Sequence, residues 1–323
     1  MAFIGLHLPS FTFPGVEPAG LFPRVLEIAA TAEASGFTAL SVMDHFHQIG
    51  NQGSPSEPML EAYTTLAAVA ARTSRLEVLN LVSGVVYHNP AHLAKQVTTL
   101  DVISGGRAVL GIGAAWYEEE ARAYGFEFPP IGRRLDRLEE AVQICRSMFD
   151  SESTEFEGRC YRVDGALNLP RPLRARLPIL IGGAGERRTL RLVARYADRC
   201  NITGSPEVVR QKLEVLRRHC EAEDRNPDDI MKTAHAGMVV IEEGEGEVRR
   251  RLQDLSASPP PILRGLDADQ LRQRLISGTP DEVAERLHAY LEGGADGFTM
   301  SLRGVSELRL VELAARAAQA AFS

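Results

Sequence analysis

The sequence lacks several features that would place it in other classes of protein. Its 323 residues contain no run of 18 apolar residues, which excludes a membrane-spanning helix. The first residues, MAFIGLHLPSFTFPG, carry no basic segment and are interrupted by Pro9 and Pro14. A secretory signal peptide needs a basic start followed by an unbroken apolar segment. We therefore expect no signal peptide and a cytoplasmic location.

Cysteine and positive charge are also scarce. The four cysteines are far apart in the sequence and form no CxxC pair: Cys145, Cys160, Cys200 and Cys220. That pattern is typical of reduced thiols and argues against a disulfide framework or a zinc site. The formal net charge of -7 argues against nucleic acid or an anionic membrane as the main partner. We expect the partner to be a small-molecule substrate.

What the chain does contain is an alternation of short apolar runs with amphipathic helical windows. The runs of strand length are Phe3–Leu8, Ala39–Met43, Leu76–Val82, Ala108–Ile112, Pro178–Ile181, Cys200–Thr203, Met231–Ile241 and Gly297–Ser301. Eight such units predict an α/β protein, a single (β/α)8 TIM barrel over residues 1–323. Two segments break the rhythm and are interpreted as irregular insertions after strands four and seven, at about 150–178 and 242–277. The first has a predicted hairpin around Phe156–Val163.

The stretch SGGRAVLGIGAAW, residues 104–116, stands out within this pattern. An apolar strand ends in Gly111, Gly113, Ala114 and Ala115 before Trp116, the single tryptophan. A strand end reduced to glycine and alanine indicates close approach of something bulky, although tight helix–strand packing has the same signature. We interpret the small residues as clearance for a cofactor. Gly113→Leu should then abolish cofactor binding and leave a folded barrel.

A titratable cluster, Asp44-His45-Phe46-His47, follows the second strand. In a barrel of this type the strand ends form the active-site mouth, where an imidazole can transfer a proton near neutral pH. A structural Asp–His hydrogen bond is the alternative. His45 and His47 also form an HxH pair, but no further metal ligands follow the other strands, so we predict no metal site.

Glycines follow the fifth strand, in Gly182-Gly183-Ala184-Gly185 ahead of a predicted helix. Free N–H groups at a helix N-terminus can hold a phosphate, although a tight turn would also use these residues. The spacing matches neither GxGxxG nor GxxxxGK[ST], so neither a dinucleotide fingerprint nor a P-loop is present.

In their order, these pieces resemble the bacterial luciferase-like monooxygenase superfamily, and most closely its oxidoreductases dependent on the deazaflavin coenzyme F-420. The matching segments are GLHLPSFTFPG, AEASGFTALSVMDHF, HNPAHLAKQVTTLDVISGGRAVLGIGAAW, LPILIGGAGE, ADRCN and GTPDEVAERL…GGADGF. The resemblance implies a flavin-shaped cofactor across the barrel mouth. It also implies a non-prolyl cis peptide within Leu81–Gly84 behind the ring, a phosphate contact at Gly182-Gly183-Ala184, and a homodimer.

Residue roles follow from the same resemblance. His45 is predicted to donate or accept the proton and Asp44 to orient it. The predicted cofactor contacts are Leu81, Val82, Ser83, Gly84, Gly111, Gly113, Ala114, Trp116, Gly182, Gly183, Ala184 and Asn201. Sugar-phosphate dehydrogenases of the superfamily have a glutamate where this chain has Trp116, which speaks against that activity here. Glu118, Glu119 and Glu120 are interpreted as acids that complement a helix dipole.

We therefore expect hydride transfer between F-420 and a small organic substrate, with both insertions covering the mouth. Three alternatives remain open at this point: an FMN-dependent monooxygenase that uses reduced flavin and oxygen, a cofactor-binding barrel without catalysis, and a metal-dependent hydrolase.

Overall fold

A computed structural model describes residues 2–323. The strands are β1 (Phe3–Leu8), β2 (Ala39–Val42), β3 (Glu77–Asn80), β4 (Ser83–Gly84), β5 (Ala108–Gly113), β6 (Ser153–Glu157), β7 (Arg162–Leu167), β8 (Ile179–Gly182), β9 (Arg199–Thr203), β10 (Met231–Ile241), β11 (Ile276–Gly278) and β12 (Gly297–Leu302). The helices are α1 (Pro18–Ser35), α2 (Ala62–Ala70), α3 (Pro90–Ser104), α4 (Glu118–Ala123), α5 (Ile131–Asp150), α6 (Thr189–Tyr196), α7 (Pro206–Ala222), α8 (Glu245–Ala257), α9 (Ala268–Arg274), α10 (Pro280–Glu292) and α11 (Leu308–Ala320).

Eight parallel strands close into a barrel in the order β1, β2, β3, β5, β8, β9, β10, β12. The barrel closes because β1 pairs with β2 on one side and with β12 on the other, for example Gly5 with Ala39 and Phe3 with Gly297. Helices cover the outer face, so β1, β5 and β12 are buried along their whole length. The predicted (β/α)8 barrel is confirmed.

Strand alternation determines which side chains face the barrel interior. Near the N-terminal end of the barrel, inward residues form a small apolar cluster of Phe3, Ala39, Leu79, Val109 and Leu180. Further along the same strands the inward positions become polar or small, so the carboxyl end of the barrel remains open above this apolar plug. No helix among residues 2–323 combines the length and apolarity that a bilayer crossing requires.

Two predictions of secondary structure need correction. The third strand was expected to run from 76 to 82, but it ends at Asn80. A bulge at Leu81 and Val82 follows, and β4 then pairs with β5. The segment 242–277 was expected to be irregular, but it contains α8, α9 and the short strand β11, which extends the sheet beside β10. Helix α8 buries Val248, Leu252 and Leu255, which have helical spacing.

The first insertion does contain the predicted hairpin, formed by the antiparallel pair β6 and β7. Its turn is fixed to α5 because the buried carboxylate of Glu140 accepts the N–H groups of Arg159, Cys160 and Tyr161, at 2.9, 2.8 and 3.0 Å. The hairpin therefore packs along the outside of the barrel. In the chain, the hairpin lies between α5 and the barrel strand β8.

Candidate active site

A cavity of about 450 Å³ lies at the carboxyl ends of the barrel strands. It is lined by ten residues that the sequence analysis selected: His45, Leu81, Val82, Gly84, Gly113, Ala114, Trp116, Gly182, Gly183 and Asn201. Its other lining residues are His7, Tyr87, Ala115, Tyr117, Ile131, Leu135, Gly185, Thr189, Thr203 and His235. Among residues 2–323 the lining includes no member of either insertion, and the covering of the mouth by the insertions stays a prediction.

His45 is oriented by Glu120 and not by Asp44. Its Nδ1 lies 2.8 Å from Oε2 of Glu120, which belongs to the first turn of α4. An ionised carboxylate can only accept a hydrogen bond, so Nδ1 carries the proton and the Nε2 of a neutral ring is left as an acceptor. No residue among 2–323 occupies that Nε2 with a hydrogen bond. Glu120 does lie in the first turn of α4, as its interpretation as a dipole-complementing acid requires, but it also holds His45, which that interpretation did not include.

The carboxylate of Glu120 is fully buried and fully engaged. It accepts the backbone N–H of Phe46 at 2.7 Å and that of His47 at 3.2 Å, and the hydroxyl of Tyr87 at 2.8 Å. Burial alone raises its pKa, but the hydrogen bonds from His45, Phe46 and Tyr87 outweigh burial, and the pKa falls below its usual value. Burial and the adjacent carboxylate raise the pKa of Tyr87, which therefore stays a neutral donor.

Asp44 holds the bulge after β3 instead. Its Oδ1 accepts the side-chain amide of Asn80 at 2.9 Å, and its Oδ2 accepts the backbone N–H of Gly84 at 2.8 Å. These two residues flank the bulge, so one carboxylate fixes both of its ends. The Nε2 of His88 lies 2.9 Å from the same Oδ2, and although burial lowers the pKa of His88, Asp44 raises it overall. Asp44 is buried outside the lining.

The bulge contains the predicted non-prolyl cis peptide, at Leu81–Val82. The side chain of Val82 lies among glycines of two neighbouring strands. A Cβ on Gly113 would come within 2.7 Å of Val82 Cγ2, and one on Gly182 within 2.8 Å of its Cγ1. A Cβ on Gly111 would come within 2.0 Å of the Asn80 carbonyl oxygen. These glycines therefore accommodate the bulge, and our interpretation of them as direct clearance for a cofactor is corrected.

Two other selected residues also lie outside the lining. The hydroxyl of Ser83 is 2.7 Å from that of Tyr63, in a buried contact behind the bulge. Ala184 belongs to the glycine loop but does not line the cavity, whereas Gly182, Gly183 and Gly185 do. The loop does not lead straight into a helix as predicted, because a turn over residues 186–188 comes before α6.

The glycine loop still offers free donors. The N–H of Gly183 bonds to the carbonyl of Asn201, and its φ of 123° lies in the region that favours glycine. The next two N–H groups, of Ala184 and Gly185, find no acceptor within residues 2–323. Such unpaired amides beside a cavity suit an anionic oxygen.

The floor of the cavity is polar and was missed by sequence reasoning. His7 and His235 meet edge to face with ring centroids 5.4 Å apart. The Nδ1 of His7 lies 2.9 Å from the Ser41 hydroxyl, and that of His235 lies 3.0 Å from Thr299 Oγ1. Burial lowers both pKa values, that of His235 to about 4, so both rings are neutral at pH 7. The available signal was alternation, since both residues occupy inward positions of barrel strands.

Aromatic and apolar side chains form the rim. Trp116 is 58% exposed, and its ring centre lies 5.9 Å from that of His45 at an interplanar angle of 76°. The preceding residue, Ala115, has a φ of 60°, and its carbonyl accepts the Arg134 guanidinium at 2.5 Å. This contact fixes the backbone turn that presents Trp116. No group of three or more potential metal ligands comes together in the part of the chain that the structure describes.

Together, the barrel and its mouth define a class: a (β/α)8 barrel with a strand-end cavity, a bulge after the third barrel strand and an imidazole oriented by a buried carboxylate. The profile of the luciferase-like monooxygenases matches residues 3–297, and the chain belongs to that family. This confirms the family predicted from the sequence, a family of oxidoreductases.

Relatives and solved structures agree with this membership. An uncharacterised protein of Mycobacterium tuberculosis is 30% identical over 57% of this chain, and the match spans 66% of that protein, slightly under two thirds. An F-420-dependent glucose-6-phosphate dehydrogenase of Rhodococcus jostii is 28% identical over 90% of this chain and 92% of its own length. An F-420-dependent secondary alcohol dehydrogenase has the same fold, with a TM-score of 0.81, 18% identity and 99% coverage of both chains. So does a type II Baeyer-Villiger monooxygenase from Pseudomonas putida solved with FMN, at a TM-score of 0.78, 19% identity and 98% coverage of both chains.

Proposed function

We propose that the protein is an F-420-dependent oxidoreductase that transfers a hydride between the deazaflavin and a small organic substrate. The observation that carries the proposal is the oriented imidazole of His45. It lines the cavity, its Nδ1 is held by Glu120, and its Nε2 is free to exchange a proton with a substrate oxygen. Loss of a hydride from an alcohol requires the loss of a proton from its hydroxyl, and this ring is placed to take it.

The residues of the cavity fit a flavin-shaped cofactor. Val82 and the neighbouring glycines offer a wall for the ring, and the unpaired N–H groups of Ala184 and Gly185 can donate hydrogen bonds to a phosphate at the other side. Asn201 and the neutral His7 and His235 supply polar contacts from the floor. When bound, the deazaflavin would supply or take up the hydride.

The chain itself would contribute positioning and proton transfer. Glu120 holds the His45 ring, Asp44 holds the bulge behind the cofactor wall, and Trp116 borders the space where the reacting carbon must lie. Such positioning can account for a large share of the rate enhancement, because both reacting groups are held at near-attack distance. The 28% identity to an F-420-dependent enzyme over 90% of the chain supports the choice of cofactor.

The second candidate is an FMN-dependent monooxygenase. It is favoured by the family, and by the shared fold with an enzyme solved in complex with FMN. The two candidates differ in chemistry, because a deazaflavin has carbon where flavin has the nitrogen next to the site of oxygen attack.

A direct titration separates them. Trp116 is the single tryptophan and borders the cavity, so quenching of its fluorescence reports binding at this site. We expect F-420 to quench it saturably with a Kd at least about tenfold lower than that of FMN, a difference of about 1.4 kcal/mol. Tight binding of FMN alone would contradict the proposal. The homodimer and the cytoplasmic location stay predictions.

A further inference from the structure

We propose that the substrate is an uncharged alcohol or carbonyl compound with an apolar substituent beside the reacting carbon, and that a sugar phosphate is rejected. This inference rests on the proposed function, since it concerns the second molecule in the same cavity. Three observations carry it: the charge of the lining, the hydrogen bonds of the arginines next to the lining, and the surroundings of His45.

The lining carries almost no charge. Among residues 2–323 it contains no lysine, arginine, aspartate or glutamate, and its ionisable members are three histidines and two tyrosines. His7 and His235 are neutral because burial opposes their charged forms, and Tyr87 is a neutral donor to Glu120. A phosphate or carboxylate on the substrate would therefore find no counter-ion and would lose its hydration without compensation.

Two arginines adjoin lining residues in the chain, Arg134 and Arg188, and both are committed elsewhere. Arg188 donates to the carbonyl of Gly132 and to Asp136. Arg134 donates to the carbonyl of Ala115, and its guanidinium carbon lies 4.0 Å from the ring centre of Phe128. It does not line the cavity. The unpaired N–H groups of Ala184 and Gly185 are the backbone donors suited to an anion, and in the proposed function they take the phosphate of the cofactor.

The surroundings of His45 are aromatic. The rings of Trp116 and Tyr117 both lie with their centres 5.9 Å from that of the imidazole. A substrate oxygen in hydrogen-bond contact with His45 Nε2 therefore places its own carbon and the attached substituent beside the indole. Trp116 and Ile131 are 58% and 53% exposed, so the apolar surface continues to the rim and can receive a larger substituent. Trp116 is the specificity-determining residue in this account.

Steady-state kinetics on the F-420-loaded protein test the inference. The panel pairs uncharged compounds (2-butanol, cyclohexanol and their ketones) with charged ones (lactate and glucose 6-phosphate). We expect kcat/KM for the best uncharged compound to exceed that for each charged compound at least tenfold. Comparable or higher activity with a charged compound would overturn the inference.

Variants of Trp116 supply a second measurement. Trp116→Ala should raise the KM for cyclohexanol about tenfold while kcat changes little, because uniform binding of the apolar group is lost. In Trp116→Phe the KM should stay close to the wild-type value. A KM unchanged in Trp116→Ala would remove the indole from substrate recognition and contradict the inference.

Failure of this inference is distinguishable from failure of the proposed function. If F-420 binds in a calorimetric titration but the protein turns over no uncharged compound, the substrate class is wrong and the cofactor assignment stands. If F-420 does not bind at all, the proposed function itself is wrong.

Discussion

At the scale of single residues, Glu120 takes the role that was predicted for Asp44, which is to orient His45. Adjacency in the chain suggested that Asp44 orients His45. In the structure, Asp44 holds Asn80 and Gly84, while Glu120, which lies 75 positions further along, holds the imidazole. The contact depends on how α4 folds back over the loop after β2, and no local pattern encodes that geometry. The His45 position itself was predictable, because it directly follows a barrel strand.

Glu120→Gln tests the role of that carboxylate. The amide can still accept the N–H groups of Phe46 and His47 through its oxygen, but its NH2 group then faces His45 Nδ1. A donor there favours the tautomer with the proton on Nε2, which removes the free acceptor. We expect kcat to fall about tenfold to a hundredfold with the Kd for F-420 little changed.

Glu118→Gln is the matched control, since Glu118 is exposed on the same helical turn and pairs with Arg122 at 2.6 Å. It should retain wild-type kcat. If Glu120→Gln also retained wild-type kcat, Glu120 would have no positioning role.

The buried floor histidine His235 predicts a pH dependence of stability. Burial lowers its pKa from 6.5 to about 4, so the unfolded chain takes up this proton at a higher pH than the folded protein does. The stabilisation by the neutral ring is fully present above pH 6.5 and is lost as the pH falls through about 4. Urea unfolding should show a decrease of about 3 kcal/mol from this group across that window.

His235→Asn removes the titrating group from this position. The decrease in unfolding free energy between pH 6.5 and 4 should be smaller by that amount in the variant. Parallel pH profiles for variant and wild type would contradict the assignment.

At the scale of elements, the glycines at the end of β5 are explained by the bulge after β3, which packs against them. The sequence indicated correctly that something bulky approaches this strand, but the closest groups are Val82 and the Asn80 carbonyl of the bulge. The expectation that Gly113→Leu leaves a folded barrel is therefore withdrawn, because the new side chain would overlap Val82. The bulge was implied by the family resemblance alone, since a cis peptide leaves no periodic signal.

A double-mutant cycle tests this arrangement. Gly113→Ala and Gly182→Ala should each destabilise the protein by about 1–3 kcal/mol, because the added methyl group overpacks against Val82. In a Val82→Ala background the same changes should cost at least about 1 kcal/mol less, measured by urea unfolding.

Gly111→Ala is the control for that cycle. Its Cβ would meet the Asn80 carbonyl oxygen at 2.0 Å and Val82 Cγ1 only at 3.3 Å, so Val82→Ala should give little relief. Strict additivity of Gly113→Ala with Val82→Ala would show that Val82 does not occupy the space above the glycine.

Helices in the second insertion were harder to predict than the barrel helices. Helix α8 has only three buried residues among polar neighbours, and α9 has one, so each offers few apolar positions in the sequence. By contrast, α3 begins with Asn89 and Pro90 and ends at Gly105, a pattern that marks both ends in the sequence. Cap signals alone do not separate the two groups, because α9 begins with a capping box of Asp267 and Gln270, whereas α5, which was predicted, has no side-chain cap.

At the scale of the whole molecule, the barrel was predictable because eight repeated units leave few alternative topologies. The same repetition brings the strand ends together, which is why ten of the fourteen selected residues line one cavity. The His45–Glu120 contact was not predictable, because it joins elements that are distant in the chain. Of the cavity floor, Asn201 was selected, whereas His7 and His235 were missed although strand alternation indicates them. Neither insertion lines the cavity, but each reaches a loop beside it. The Tyr161 hydroxyl lies 3.4 Å from the Val85 carbonyl, and the Ile262 N–H donates to the Asn51 carbonyl.

The central claim is hydride transfer to F-420 with proton transfer at His45. The most direct measurement follows the absorbance of oxidised F-420 under anaerobic conditions, on mixing with an alcohol substrate, in wild type and in His45→Asn. We predict reduction of the cofactor by the wild type, and in the variant unchanged binding with turnover at least about a hundredfold slower. Turnover that requires oxygen and FMN, or undiminished reduction of F-420 by His45→Asn, would contradict it.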